Sequence, residues 1–254
     1  MKMFTWRFYR VWQRHRDVFF RLWHFEMPIS FIEPVLLLLA FGLGMGAYMG
    51  LIDGEQYINF IAPGMIASYA MFSASNECSY SAFLRMEHQH TYDAILATPL
   101  NVEDITAGEI FWGATRAAMT AAIVLLVAAC FRLVVSPWAV LILPVAFVEG
   151  VQIGAISLFY TSVVPSIYAF NFFFTLIINP LFLLSGVFFP LDSFPEVLQD
   201  ISWFTPLRPA VEIVRGLFKG EMPEQLLLSL AIIAVYIVVF FSITLVTMRR
   251  RLTK

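Results

Sequence analysis

Residues 150–191 read GVQIGAISLFYTSVVPSIYAFNFFFTLIINPLFLLSGVFFPL, with no acidic or basic side chain at any of 42 positions. As a single helix this run would rise about 63 Å, twice a hydrocarbon core of about 30 Å, so it has to turn back on itself. The turn is placed at 162–166, SVVPS, because Pro165 has no backbone donor and biases Val164 away from helix. The preceding helix then starts near Trp138 and carries Glu149 near its middle.

The remaining 212 or so positions agree with a membrane-embedded chain. Of 254 residues, 60% are hydrophobic and 13% charged, against about 25% charged in a soluble domain. Sixteen Lys and Arg against eighteen Asp and Glu give a net charge of −2, which removes the basic excess of a nucleic-acid binder. Cys78 and Cys130 are the two cysteines, too few for a disulfide scaffold, and both read as small core residues.

An ionised side chain at the bilayer centre costs at least about 2.5–3.5 kcal/mol, so uncharged runs mark spans. Residues 34–52, 56–76 and 225–248 are such runs, and 110–131 is interrupted only by Arg116, which can snorkel to an interface. The expectation is an all-α integral membrane protein of six transmembrane helices, at about 30–52, 57–79, 108–131, 138–164, 167–190 and 225–248. The first 21 residues hold six basic residues and the last six hold four, ten of the sixteen, so the positive-inside rule puts both tails in the cytoplasm. Residues 1–27 read as an interfacial amphipathic helix rather than a cleavable signal. Phe4, Phe8, Val11, Trp12, His15, Phe19, Leu22 and Trp23 form one stripe, and Arg7, Arg10, Arg14, Asp17 and Arg21 the other. A topology-setting anchor and a gating element are both open for it.

Three features go beyond anonymous spans. The cytoplasmic connection 84–104, LRMEHQHTYDAILATPLNVED, holds a short helical stretch over 91–96 that stops before Pro99 and suits docking to a soluble partner. Its His88 and His90 are too weak a signature for a metal site. The extracytoplasmic segment 192–224 predicts two short amphipathic helices dipping into the outer leaflet. One carries Phe194, Val197, Leu198, Ile201 and Phe204, the other Val211, Val214, Leu217 and Phe218, with Pro206 and Pro209 between. Glu212 stands four residues after Arg208 and three before Arg215, so these charges can pair on one face. Finally, Glu33, Glu77, Glu109, Arg116 and Glu149 lie in or near the membrane. Glu33 and Glu77 read as interfacial. Glu109 and Arg116 share a face with Trp112 between them, where Arg116 can stack on the ring. Glu149, with Gln152 as its same-face polar neighbour, is open to a translocation role or a packing role.

No G-x-x-x-x-G-K-[ST], G-x-S-x-G, H-E-x-x-H or aspartate-rich Mg²⁺ motif occurs, so the chain carries no visible catalytic set and no ATPase motif. Four strings in order do carry a resemblance. FIAPGMIA (60–67), ATPLNVEDITAGEIFWGATR (97–116), FLLSGVFFPLDSFP (182–195) and FTPLRPAVEIVRG (204–216) are similar to the membrane-spanning permease subunit of type-2 ABC exporters, in the branch containing nodulation-factor export permeases. Thr205 departs from the Asn common there, and Glu149 from a span that is usually apolar.

The resemblance implies a permease in the bacterial inner membrane that pairs with a second copy, and two cytoplasmic ATPase subunits that bring ATP and Mg²⁺, with no cofactor in this chain. It implies a coupling helix over 84–100, with Glu87, Tyr92, Asp93, Ala94, Leu96 and Pro99 coupling the permease to the ATPase. It also implies a re-entrant outer segment marked by Gly186, Pro190, Pro195, Pro206, Arg208, Glu212 and Arg215. The cargo implied is amphiphilic: a lipid-linked saccharide, a lipo-oligosaccharide or a hydrophobic drug. Phe170, Phe172, Phe173 and Phe174 are open to lining the substrate path or facing lipid. A proton-coupled carrier using Glu149 is the competing reading; the chain lacks the inverted repeat such carriers often show.

Overall fold

The computed structural model describes residues 6–49, 51–52, 54–223 and 225–253, with the side chains of residues 25–31, 43 and 200 outside the description. Among the described residues every regular element is helical. The elements that matter below are α1 (Phe8–Leu39), α2 (Tyr57–Asn76), α3 (Thr91–Leu96), α4 (Val102–Cys130), α5 (Ile142–Val163), α6 (Ala169–Phe173), α7 (Asn179–Leu184), α8 (Glu196–Trp203), α9 (Arg208–Lys219) and α10 (Leu226–Leu252).

Among the described residues three helices are long and apolar enough to cross a membrane, Val102–Cys130, Pro137–Val163 and Leu226–Leu252; Ile32–Ala47 and Ala169–Leu184 are shorter apolar helices. α5 ends at Val163, and Val164 is extended before Pro165, so the long uncharged run does fold back where proline interrupts it. The run's second half stops earlier than 190. Gly186 takes φ +73°, a left-handed conformation open to glycine, and the helix ends at Leu184. A π-helical turn, Phe174–Ile178, interrupts this segment between α6 and α7.

α2 and α10 show opposite environments. Sixteen of the twenty residues of α2 are buried, so it is the central helix, ringed by α4, α5 and α9. The most apolar window of α10 is 11% buried, leaving Leu227, Val235, Val238 and Val246 on an outer surface.

The amino-terminal helix differs from expectation in two ways. No break separates an interfacial helix from a span, because α1 runs unbroken from Phe8 to Leu39. Its apolar stripe also meets protein rather than lipid. Val11, His15 and Phe19 are buried against α4, where Phe19 and Trp112 rings lie 5.8 Å apart, and Trp12 Nε1 donates to Thr115 Oγ1 at 2.9 Å. Gly108 permits this approach, since a Cβ there would lie 2.5 Å from Val11 Cβ. Phe20, Leu22 and Trp23 remain exposed. Of the two cysteines, Cys78 is buried but Cys130 is exposed at the end of α4, so only the first is a core residue.

Candidate functional site

The connection between α2 and α4 is built from local signals. Beyond Asn76 the helical course continues through π-helical turns at Glu77–Ser81 and Leu84–His88. His90, at φ +49°, then reverses the chain into α3. α3 ends before Pro99, and a capping box between Asn101 and Asp104 starts α4, with Asn101 N donating to Asp104 Oδ2 at 3.1 Å. α3 is two-faced: Tyr92 and Ile95 are buried, while Asp93 and Ala94 are exposed, as are Ala97, Thr98 and Pro99 beyond it. Tyr92 therefore lies inside, Leu96 is half-buried, and Glu87 is exposed.

Both ends of the chain brace this connection. Arg7 Nη1 donates to Pro99 O at 2.8 Å. Arg251 Nη2 lies 2.8 Å from Glu87 Oε1, and its Nη1 donates to Thr161 O at 2.8 Å and Val164 O at 2.7 Å, satisfying carbonyls at the end of α5.

Beneath α3 lies a buried chain of charges. Arg85 forks onto Glu109, with Nη2 to Oε2 at 2.6 Å and Nε to Oε1 at 3.2 Å, and Arg85 Nη1 donates to Glu77 Oε1 at 2.8 Å. His15 Nε2 stands 3.1 Å from Glu109 Oε1, and Arg116 Nε stands 3.7 Å from Glu77 Oε2. Two carboxylates and two guanidiniums balance, which is the condition for burying such charges. Burial would pull the Arg85 guanidinium down, but Glu109 and then Glu77 outweigh it and hold its pKa well above the usual value. Burial, with Glu109 next, pushes the Tyr92 hydroxyl well above its usual range, so α3 presents a neutral phenol to this cluster.

Several sequence expectations change here. Glu77, read as interfacial, is buried in the protein and doubly paired. Arg116 does not stack on Trp112; its guanidinium carbon lies 4.6 Å from the Phe19 ring centre, because α1 covers that face of α4. Arg85 and His15 escaped the sequence reading, although Glu77, Ser81 and Arg85 follow at four-residue spacing on one helical course. Glu149 joins nothing: it is fully buried, and neither carboxyl oxygen has a hydrogen-bond partner among the described residues. Gln152 turns its amide to Pro206 O, 3.2 Å away.

The outer segment is a clasp. The Arg208 guanidinium carbon lies 3.6 Å from the Trp203 ring centre, and its Nε donates to Glu212 Oε1 at 2.9 Å. Arg215 does not join that pair; it donates to Gly186 O at 2.9 Å and lies over Phe60, 4.3 Å from the ring centre. α8 exposes Val197 and Ile201, with Phe204 just beyond it. α9, by contrast, buries Val211, Val214, Leu217 and Phe218 against the protein core, since α2, α5 and α10 already offer it an apolar seat. Pro195 precedes α8, and Pro190 precedes a 3₁₀ turn at Leu191–Ser193. The aromatic quartet divides: Phe170 and Phe173 are buried, Phe174 is half-buried and Phe172 is exposed. No group of three or more His, Cys, Asp or Glu able to hold a metal occurs among the described residues.

Residues 6–219 match the family described as ABC-2 type transporter. A protein named Nodulation protein J from Rhizobium leguminosarum bv. viciae is 37% identical over 224 residues, covering 87% of this chain and 86% of that protein. Its namesake from Rhizobium meliloti is 31% identical over 249 residues, covering 97% and 94%. The inner membrane transport permease YadH of Escherichia coli is 24% identical over 242 residues, covering 92% and 91%.

Proposed function

We propose, on the premise that the chain belongs to the ABC-2 type transporter family, that it is the membrane-spanning subunit of an ATP-driven exporter of amphiphiles in the bacterial inner membrane. Six crossings, cytoplasmic tails, a second permease copy and two separate ATPase subunits complete this reading. Three long apolar helices and ten basic residues in the two tails support the topology.

The observation that carries the proposal is α3. It offers Asp93 and Ala94 outward while Tyr92 and Ile95 are seated on the buried charges that join α1, the end of α2 and α4. A push on such a helix is delivered to three elements at once, because the Glu109 carboxylate faces α1 through His15 and the end of α2 through Arg85. ATP-driven closure of the partner subunits then rocks the permease between a cavity reachable from the inner leaflet and an exit beneath α8 and α9.

Crosslinking in native membranes followed by purification tests the partnership; recovery of the permease without an ATPase subunit overturns it. For coupling, Asp93→Arg is expected to leave assembly intact and abolish substrate-stimulated ATP hydrolysis. Wild-type stimulation in that variant removes α3 from the pathway. The carboxyl of Glu149, without a hydrogen-bond partner among the described residues, favours one competing reading, a proton-coupled carrier. That reading requires transport by the reconstituted chain alone under a pH gradient, lost in Glu149→Gln.

A further inference from the structure

A cavity of about 400 Å³ lies between α1, the end of α2 and α4. Its position along α2 is informative. Asn76 is nineteen steps beyond Tyr57, which at about 1.5 Å per residue places it about 28 Å along the helix, one hydrocarbon thickness from its start. In the proposed topology that is the level of inner-leaflet headgroups. Asn76 is exposed there and lines the cavity, with one amide N–H donated to Phe72 O at 2.9 Å.

The lining is rich in acceptors. Glu33 lies on the α1 side, exposed and beside the Tyr69 hydroxyl. Ser73 already accepts a hydrogen bond from Thr120 at 3.0 Å, and Glu77 brings a second carboxylate. One guanidinium is present, that of Arg116, and it is engaged by Glu77 and lies over the Phe19 ring. A phosphate or sulfate would meet the Glu33 carboxylate, while Arg116 is already engaged by Glu77. A wholly apolar molecule would strand the carboxamide and carboxylate oxygens. The complementary headgroup donates several hydrogen bonds and carries no negative charge.

We propose that this cavity is a binding site, within a single permease copy, for a hydroxyl- or amine-bearing, non-anionic headgroup of an amphiphile drawn from the inner leaflet. The inference rests on the export reading and narrows it: lipids linked through phosphate and headless hydrophobic drugs are disfavoured at this site.

The test uses the full-length permease in phosphatidylcholine nanodiscs without any ATPase, titrated below their micellar thresholds with two tail-matched amphiphiles, octyl glucoside and octyl phosphate. Bound ligand is read as a saturable rise in melting temperature. Octyl glucoside is expected to stabilise the wild type and octyl phosphate to leave it unchanged. Asn76→Leu, at an exposed position, is expected to weaken octyl glucoside binding roughly tenfold, the loss of about one hydrogen bond, and Asn76→Gln to restore most of it. Equal responses to the two headgroups, or wild-type binding by Asn76→Leu, overturns the proposal. Because no ATPase is present, that outcome leaves the export reading standing, whereas failure to recover an ATPase from membranes strikes the export reading and leaves the binding result intact.

Discussion

Glu109 and Glu149 are both mid-helix carboxylates, on α4 and α5, two helices packed against each other, and both are fully buried. Their surroundings are opposite. Glu109 is held by the Arg85 fork and by His15; Glu149 has no hydrogen-bond partner among the described residues. A charge in a low-dielectric interior persists only where opposite charge is built beside it, so the first is a structural ion and the second a lone polar group. The difference separates a residue that ties elements together from one that is free to act or to be dispensable.

The contrast breaks most visibly at Arg85. Arg85→Leu leaves Glu77 and Glu109 buried without their shared cation, and a loss of about 3–5 kcal/mol is expected, read as a large drop in melting temperature of the purified permease. A loss under about 1 kcal/mol would mean that water, not Arg85, holds those carboxylates. A smaller effect is expected one residue before Glu109. Gly108→Ala puts a Cβ 2.5 Å from Val11 Cβ and 3.1 Å from Phe8 O, and this overpacking is worth about 1–3 kcal/mol. Its signature is faster proteolysis within residues 8–19 as α1 lifts from α4; unchanged cleavage would show that α1 is held by other contacts. The smallest effect belongs to Glu149→Gln, nearly isosteric and breaking no hydrogen bond, with stability expected within about 1 kcal/mol of wild type. A loss above about 2 kcal/mol in thermal unfolding would reveal a partner and erase the distinction between the two carboxylates.

Much of the architecture was readable because the rules behind it are local. Pro165 biases Val164 to an extended backbone and α5 ends before it, Pro99 limits α3, and Arg208 and Glu212 at four-residue spacing meet on one helix face, at 2.9 Å. The misread positions are those whose neighbours come from elsewhere in the chain. Trp112 was the nearest ring to Arg116 along α4, but Phe19, nearly a hundred residues away, covers the guanidinium. Nothing in the run that holds Glu77 identifies Arg85 and Arg116 as its partners. Tyr92 is buried because α3 packs on neighbours from other parts of the chain, and the apolar faces of α1 and α9, legible as faces, lie against protein rather than lipid.

That last difference has a general physical cause. An apolar stripe has the same signature whether lipid or protein covers it, since both remove it from water. Hydropathy and proline placement were enough to read a membrane-embedded helical chain, the hairpin in its 42-residue uncharged run and the short helix between α2 and α4. Which side chains complete one another, Arg85 with Glu109, Arg215 with Gly186, Asn76 with an open cavity, was settled by folding, because electrostatic and hydrogen-bond complementarity act over a few ångströms in space, at separations that have no counterpart along the chain.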